Sequence, residues 1–323
     1  MFVAPGAPLR RGPIRLVLAA VLVVLVLAGV TLQGIRATPS SSATTATSST
    51  TLDATTTSAA PKAVTSPTIA TPRATPVAIA RHLKAHGCHL TTTPPHVTAS
   101  HAPLGRCTVL EIGDSIGADL GWGLSRELAG LPGLSQVMKD KSATGLAAAW
   151  YYDWARQLTA MVARHHPDLV VVCMGGDDEQ ALAINGRSYD FNTPAWRARY
   201  ASLVRRIDLI ATRAGSYVLW IGLPIMQPNL YRAGVVALNG IYQTVSHGVP
   251  GVTFLSTWRL FENAQGHYRQ GASVNHVAAA LRASDGIHFS VVGENVFATY
   301  VAEHLAQTYH VHIVPVAPAY ITP

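Results

Sequence analysis

Apolar and polar positions divide the chain into three regimes. The first is a run from Leu16 to Val30 of apolar or small residues only. Thr31–Ile35 extend it to 20 positions, with Gln33 the one strongly polar side chain. At about 1.5 Å rise per residue such a helix just crosses a hydrocarbon layer of ~30 Å. Arg10, Arg11 and Arg15 precede the run and few charges follow it. The positive-inside bias then sets a cytoplasmic N-terminus and an outside remainder. Residues 1–36 therefore read as a cytoplasmic tail and single-pass signal anchor in the cell membrane, with residues 16–35 in the lipid bilayer. A cleaved secretory signal shares the basic start and apolar middle, but no clean small-x-small site follows this run.

The second regime, residues 37–80, is almost wholly Thr, Ser, Ala and Pro, with Asp53, Lys62 and Arg73 its only charges. It has no helical stripe and little bulk to bury, so ordering it would cost entropy with little return. The expectation is a disordered stalk, with Thr beside Pro fitting O-glycosylation. Residues 81–106 follow as an N-terminal extension, 107–315 as the folded domain and 316–323 as a tail.

In the third regime continuous apolar runs alternate with stripes of helical period. Cys107–Ile112, Leu169–Met174, Tyr217–Leu223 and Val252–Leu255 are strand-like. Leu169–Met174 has the unbroken apolarity of a strand buried on both faces. Ile116, Leu120, Leu124 and Leu128 make one helical face after Asp114, and Trp154, Leu158, Met161 and Val162 make another. Trp196, Tyr200, Leu203, Ile207 and Ile210 mark a long helix, and residues 230–245 a further one. A last helix carries Val292, Phe297, Val301 and Leu305 after a Ser290 cap. Alternating strands and helices predict an α/β domain with a mostly parallel sheet covered on both sides.

Composition changes this picture in two places. The formal charge is +7, but residues 1–80 hold six Arg or Lys and one Asp, which leaves +2 for the rest. The basic excess sits beside the expected anchor, and no basic aromatic platform follows, so nucleic-acid binding is not expected. Among three cysteines only Cys173 lies inside a continuous apolar strand. Cys88 and Cys107 flank an irregular segment and are expected to form a disulfide outside the cytoplasm. His82, His86 and His89 have helix-like spacing, with Cys88, His96 and His101 nearby. No second clear ligand pair follows, so these histidines are expected to face solvent, and no metal or other cofactor is assigned.

The reactive residues stand at the ends of strand-like runs. Ser115 follows Gly113–Asp114 at a strand-to-helix turn, where unpaired helix N–H groups favour negative charge. A serine hydroxyl needs a base, and the base an orienting group. Asp285 and His288, three apart in one late segment, can supply both. Without that pair Ser115 would be read as an ordinary N-cap. Trp150 and Tyr151 are candidate substrate contacts, with plain core packing the alternative. Arg282 is another, with a surface salt bridge the alternative. Residues 265–280 lack periodicity and read as a flap.

These blocks resemble the GDSL/SGNH hydrolase family, over about residues 107–310. Gly113–Asp114–Ser115 is similar to the family's nucleophile block, with Ile116 in place of the usual leucine. The resemblance implies catalytic Ser115, Asp285 and His288 in a three-layer α/β/α sandwich of flavodoxin-like architecture. It also implies an oxyanion hole of Ser115, Gly145 and the residue at position 177. The family has Asn there; this chain has Asp177. An ionised carboxylate cannot donate to an oxyanion. A protonated Asp177, an Asp177 turned aside, and a weakened enzyme all fit the sequence. Asp178 is expected to tie its loop by accepting backbone hydrogen bonds.

The function expected from all this is a serine esterase or O-acyltransferase outside the cytoplasm, acting on acylated cell-envelope carbohydrate or another small acyl ester. The alternative is a catalytically weak, glycan-binding accessory to a membrane acyltransferase.

Overall fold

The computed structural model describes residues 76–93, 103–227 and 229–323, all within one compact unit. The expected anchor and nearly all of the expected stalk lie outside the described residues. No helix among the described residues is long and apolar enough to cross a membrane.

The elements in chain order are α1 (Pro76–His86), β1 (Cys107–Gly113), α2 (Ser115–Glu127), β2 (Leu134–Asp140), α3 (Trp154–His165) and β3 (Leu169–Cys173). There follow β4 (Leu182–Ile184), β5 (Arg187–Tyr189), α4 (Pro194–Arg213), β6 (Tyr217–Ile221), α5 (Asn229–His247) and β7 (Val252–Leu255). A short 3₁₀ turn, Arg259–Phe261, leads to β8 (Gly271–Val274), β9 (Val277–Ala280), α6 (Val291–Thr308) and β10 (Ile321–Thr322).

Five strands form one sheet in the order β2-β1-β3-β6-β7, every pairing parallel. β3 and β6 are buried along their whole length, which is why LVVVC and YVLWI carry no polar residue. Right-handed crossovers in this order put α2 on one face and α3, α4 and α5 on the other. The packing agrees: α2 lies against α6, α3 against α4, and α4 against α5. The result is the expected three-layer sandwich with a flavodoxin-like strand order. Its topological switch lies between β1 and β3, so the crevice beyond their C-terminal ends is where a ligand site forms.

Three stretches depart from the sequence expectation. β2 is an edge strand, half-exposed along most of LSQVMKD, and its mixed polarity hides it from a search for apolar runs. Residues 265–280 are not an irregular flap, because β8 and β9 pair antiparallel and β10 adds to β8. Their turn residues Asn275 and His276 both have left-handed φ (48° and 67°), so the hairpin closes without the glycine that usually signals it. At the other end, α1 starts at Pro76, so the fold begins a few residues before position 81. Its Ile79 and Leu83, four apart, are buried in the core.

Cys88 and Cys107 are joined, and Cys173 is free and buried. The disulfide ties the end of α1 to the first residue of β1 across a separation of 19 residues. Closing a loop of that length removes about 3 kcal/mol of unfolded-chain entropy. Replacing both cysteines by serine should therefore lower the melting temperature by roughly 6–12 °C for a domain of this size. Thermal unfolding of the oxidised chain and the double variant measures this, and equal midpoints would show that the loop is held by other contacts.

Candidate active site

The site begins where β1 runs out. A Cβ at Gly113 would stand 2.2 Å from Cys173 O and 2.6 Å from Gly117 Cα, so only glycine fits where strand, helix and neighbouring strand converge. Asp114 then caps α2 and is fully buried. Its Oδ1 accepts from the N–H groups of Ile116 (2.9 Å) and Gly117 (3.4 Å), and Oδ2 from those of Gly175 (2.7 Å) and Gly176 (2.8 Å). One carboxyl thus fastens the Ser115 turn to the loop after β3. Burial pushes its pKa up to about 7, against the pull of those amides.

Ser115 is the first residue of α2 and is half-buried. Its N–H and that of Gly145 make no hydrogen bond among the described residues. Gly145 lies directly against Asp178: a Cβ there would meet Asp178 Oδ1 at 2.1 Å. Asp178 is fully buried and accepts from the N–H groups of Leu146 (2.9 Å) and Ala147 (2.8 Å) and from the Tyr200 hydroxyl (2.6 Å). Tyr200 meets the Tyr242 hydroxyl at 2.8 Å, and Tyr242 donates to Met174 O at 3.0 Å. This relay holds the 144–147 loop against the end of β3. Burial raises the Asp178 pKa, and Tyr200 and the two amides oppose the rise.

Asp177, beside it, is exposed and its carboxyl accepts no hydrogen bond among the described residues. Its main-chain oxygen accepts from Gln180 Nε2 at 2.6 Å. Partial desolvation raises the Asp177 pKa, while the nearby His288 lowers it.

His288 Nδ1 lies 2.7 Å from Asp285 Oδ2, and Asp285 Oδ1 accepts from the N–H groups of Ile287 (2.8 Å) and His288 (3.0 Å). Partial burial works to raise the Asp285 pKa, but the imidazole and the two amides outweigh it and hold the carboxyl below its ordinary range. The next residue fixes the loop to α2. Phe289 N–H donates to Asp119 Oδ2 at 2.9 Å, and Asp119 lies one turn along α2 from Ser115. Asp119 is pushed up to about 6 by burial and pulled down by the Phe289 amide and by His288. His288 therefore acts on both the first turn of α2 and the loop after β3. Ser115 Oγ makes no hydrogen bond to it among the described residues. Resting sites often tighten such bonds only with substrate bound.

Arg282 is a correction. It is 1% exposed, so it neither forms a surface salt bridge nor stands open to a ligand. Its guanidinium lies 4.0 Å from the Phe289 ring centroid and 5.6 Å from those of Phe261 and Tyr268, and Nη2 donates to Ile225 O at 2.9 Å. Aromatic faces make that burial tolerable and turn the residue into a support beneath the Asp285–His288 loop. Burial brings its pKa down to about 10. Trp150 and Tyr151 are exposed (81% and 51%), their ring centroids 6.0 Å apart, on the turn that follows Gly145.

Sequence reading missed Asp119 and a buried acid pair under α2. Glu111 is fully buried within β1, and Asp140 ends β2. Burial and the Asp140 charge hold Glu111 well above its ordinary range, and burial takes Asp140 to about 6. An acid inside the apolar run of β1 was the available signal.

Residues 108–304 match the family model described as "Protein of unknown function (DUF459)". Among solved structures, one similar chain is a putative SGNH hydrolase from Slackia heliotrinireducens, 17% identical, covering 62% of this chain and 98% of its own, with TM-score 0.44. Another is the psychrotrophic esterase EstA from Pseudoalteromonas sp., at 14%, 62% and 97%, with TM-score 0.42. A third is an acetylxylan esterase from Geobacillus stearothermophilus, at 16%, 68% and 99%, with TM-score 0.42. No curated protein matches the chain.

Two predictions follow from the acids of this region. Glu111 is protonated in the fold at a pH where an unfolded glutamate is ionised, so its burial favours the fold only below the unfolded pKa. Stability is lost as pH rises from there. Glu111→Gln should raise the melting temperature at pH 8 and leave it nearly unchanged at pH 4; a destabilised variant at pH 8 would refute the protonated state. Asp177→Asn replaces an exposed carboxylate after β3 by an amide donor, and one donor to an oxyanion is worth about 10²–10³ in rate. Its kcat/KM on a short acyl ester should exceed that of the natural chain at neutral pH. A folded variant with equal or lower activity across pH would give the carboxyl some other role.

Proposed function

We propose, for a chain that belongs to the DUF459 family, whose description names no activity, that the folded domain is a serine esterase or O-acyltransferase. The observation that carries this reading is the link between base and nucleophile. The Asp285–His288 pair is bonded through Phe289 to Asp119 on the helix that Ser115 begins. His288, oriented through Nδ1, would take the Ser115 proton at Nε2 as Oγ attacks the acyl carbonyl. Asp285 would hold the tautomer and offset the imidazolium charge. The oxyanion would face the unpaired N–H groups of Ser115 and Gly145. Collapse returns the proton to the leaving alcohol and leaves an acyl-enzyme. Water then gives hydrolysis, and a sugar hydroxyl gives transfer.

Several features support an envelope carbohydrate as substrate and a location outside the cytoplasm. The Cys88–Cys107 disulfide suits an oxidising compartment. The apolar run at 16–35 and the Thr/Ser/Pro-rich stretch after it suit a tethered, outward-facing domain. The exposed Trp150 and Tyr151 rings offer apolar faces of the kind that pack on sugar rings. A glycan-holding accessory to a membrane acyltransferase is the second reading, favoured by Asp177 in place of the amide donor.

Hydrolysis of a chromogenic acetyl ester by the purified chain, beside Ser115→Ala and His288→Ala, tests the catalytic reading. Each variant should lose at least about 10³-fold in kcat/KM. Turnover that survives in Ser115→Ala would dismiss Ser115 as nucleophile. Glycan binding with no serine-dependent turnover would favour the accessory role.

A further inference from the structure

At the opposite end of the sheet, α1 brings two histidines onto one carboxylate. His82 and His86, four apart, share a face of α1, and their ring centroids lie 4.1 Å apart. His82 Nε2 is 3.5 Å and His86 Nδ1 3.2 Å from the same oxygen, Asp168 Oδ1. We propose that His82, His86 and Asp168 form a binding site for one divalent transition-metal ion of the zinc class.

The distances carry the first part of the argument. Ligand atoms 2.0–2.1 Å from a tetrahedral ion stand about 3.3 Å from one another. Both imidazole-to-carboxylate separations fall close to that edge, and the three donor atoms all lie within 4.8 Å of one another. Only the His82–His86 edge has to close, which rotation about the histidine side chains provides.

Orientation carries the second part. Asp168 is 1% exposed, and its Oδ2 is taken by the Thr108 N–H at 2.8 Å. That bond fixes the carboxylate and leaves Oδ1 turned toward α1, the support a metal-binding carboxylate needs. A proton on His86 Nδ1 would satisfy one contact without any ion. It leaves His82 Nε2 buried without a well-formed hydrogen bond, 3.5 Å from Asp168 Oδ1 and beside the Pro167 main chain. One carboxylate oxygen cannot neutralise two imidazolium rings, whereas one ion uses both neutral lone pairs and the carboxylate charge together.

The fourth coordination position has room. A cavity of about 560 Å³ opens beside His86 and Asp168 and is lined also by Arg106, Ser135, His165 and His166. Two of the three donor residues, His86 and Asp168, line this space and leave a position for water.

Asp168 immediately precedes β3, whereas the loop beside Ser115 follows that strand. Five strand residues at about 3.3 Å each separate the two ends, so the ion takes no part in acyl chemistry. Its role is a clip: it pins α1 to the start of β3, beside the disulfide that pins the same helix to β1.

Titration of the chelator-stripped full chain with zinc chloride in a calorimeter tests the proposal. One ion should bind per chain, and the bound form should melt at a higher temperature. His86→Ala, at a half-exposed position on α1, and His82→Ala should each weaken binding more than about a hundredfold, beyond the roughly 10–100-fold that loss of an outer support costs. Asp168→Asn keeps the acceptor for Thr108 and should weaken binding similarly. Serine-dependent ester turnover should be the same in stripped and loaded protein, which separates this site from the acyl chemistry. No stoichiometric binding, or binding by His82→Ala and His86→Ala as tight as that of the unaltered chain, would overturn the assignment.

Discussion

The Ser115 turn and the loop after β3 both hang on the buried carboxyl of Asp114. Helix α2 arrives with unpaired N–H groups at its start, and the loop after β3 arrives with two more at Gly175 and Gly176. Most of these donors are buried, and leaving a buried donor unpaired costs about 1–3 kcal/mol. Asp114 answers all four with two oxygens. Because it does, the Ser115 N–H is not drawn into capping and stays available. A serine at position 114 could cap the helix but could not reach across to the second loop with a second acceptor. The conflict between burial and amide bonds, which leaves the group near a pKa of 7, is the cost of using one side chain as a cross-brace.

The same device recurs at Asp178 and Asp119. Asp178 takes the Leu146 and Ala147 amides and a tyrosine hydroxyl, and leaves the Gly145 N–H free. Asp119 takes the Phe289 amide and sets the His288 loop on α2. Three buried carboxylates thus join four segments far apart in sequence. Each accepts main-chain donors, so the geometry tolerates wide change in the side chains around it. The position that departs from the family resemblance, Asp177, takes part in none of these braces. Exchanging it therefore leaves the frame undisturbed.

Much of this was legible in the sequence, for physical reasons that can be named. β3 and β6 announce themselves because strands buried on both faces tolerate no polar residue. Ser290 announces α6 because its hydroxyl is needed by the Gly293 N–H. β2 does not, since an edge strand half in water obeys no strict pattern. The β8–β9 hairpin hides because Asn275 and His276 take the left-handed turn that glycine usually marks. At the candidate site, the Asp285–His288 bond and the place of Ser115 at the start of α2 were readable, because an imidazole needs an orienting carboxylate and a serine suits a helix start. Asp119 was not, because its function is a bond to a main-chain amide 170 residues away, and no spacing encodes that. Arg282 read as a surface cation because sequence shows its charge and not the three rings that enclose it.

The histidines of α1 show the same limit from the other side. Their spacing was visible, but the acceptor they converge on lies 82 residues beyond His86, at the start of a strand. Asp168 sits there because it pairs with Thr108 through both main chain and side chain, which sets the register of β3 against β1. A residue placed for sheet register thereby presents its second oxygen to a neighbouring helix. The two ends of β3 are thus organised by one principle: a carboxylate anchored by main-chain N–H groups presents what remains of its environment to another element. At the C-terminal end, what remains is an unpaired main-chain N–H beside a serine. At the N-terminal end, it is a carboxylate oxygen that no main-chain group has claimed, facing two imidazoles, and polarity in each case follows from which partner the backbone has already claimed.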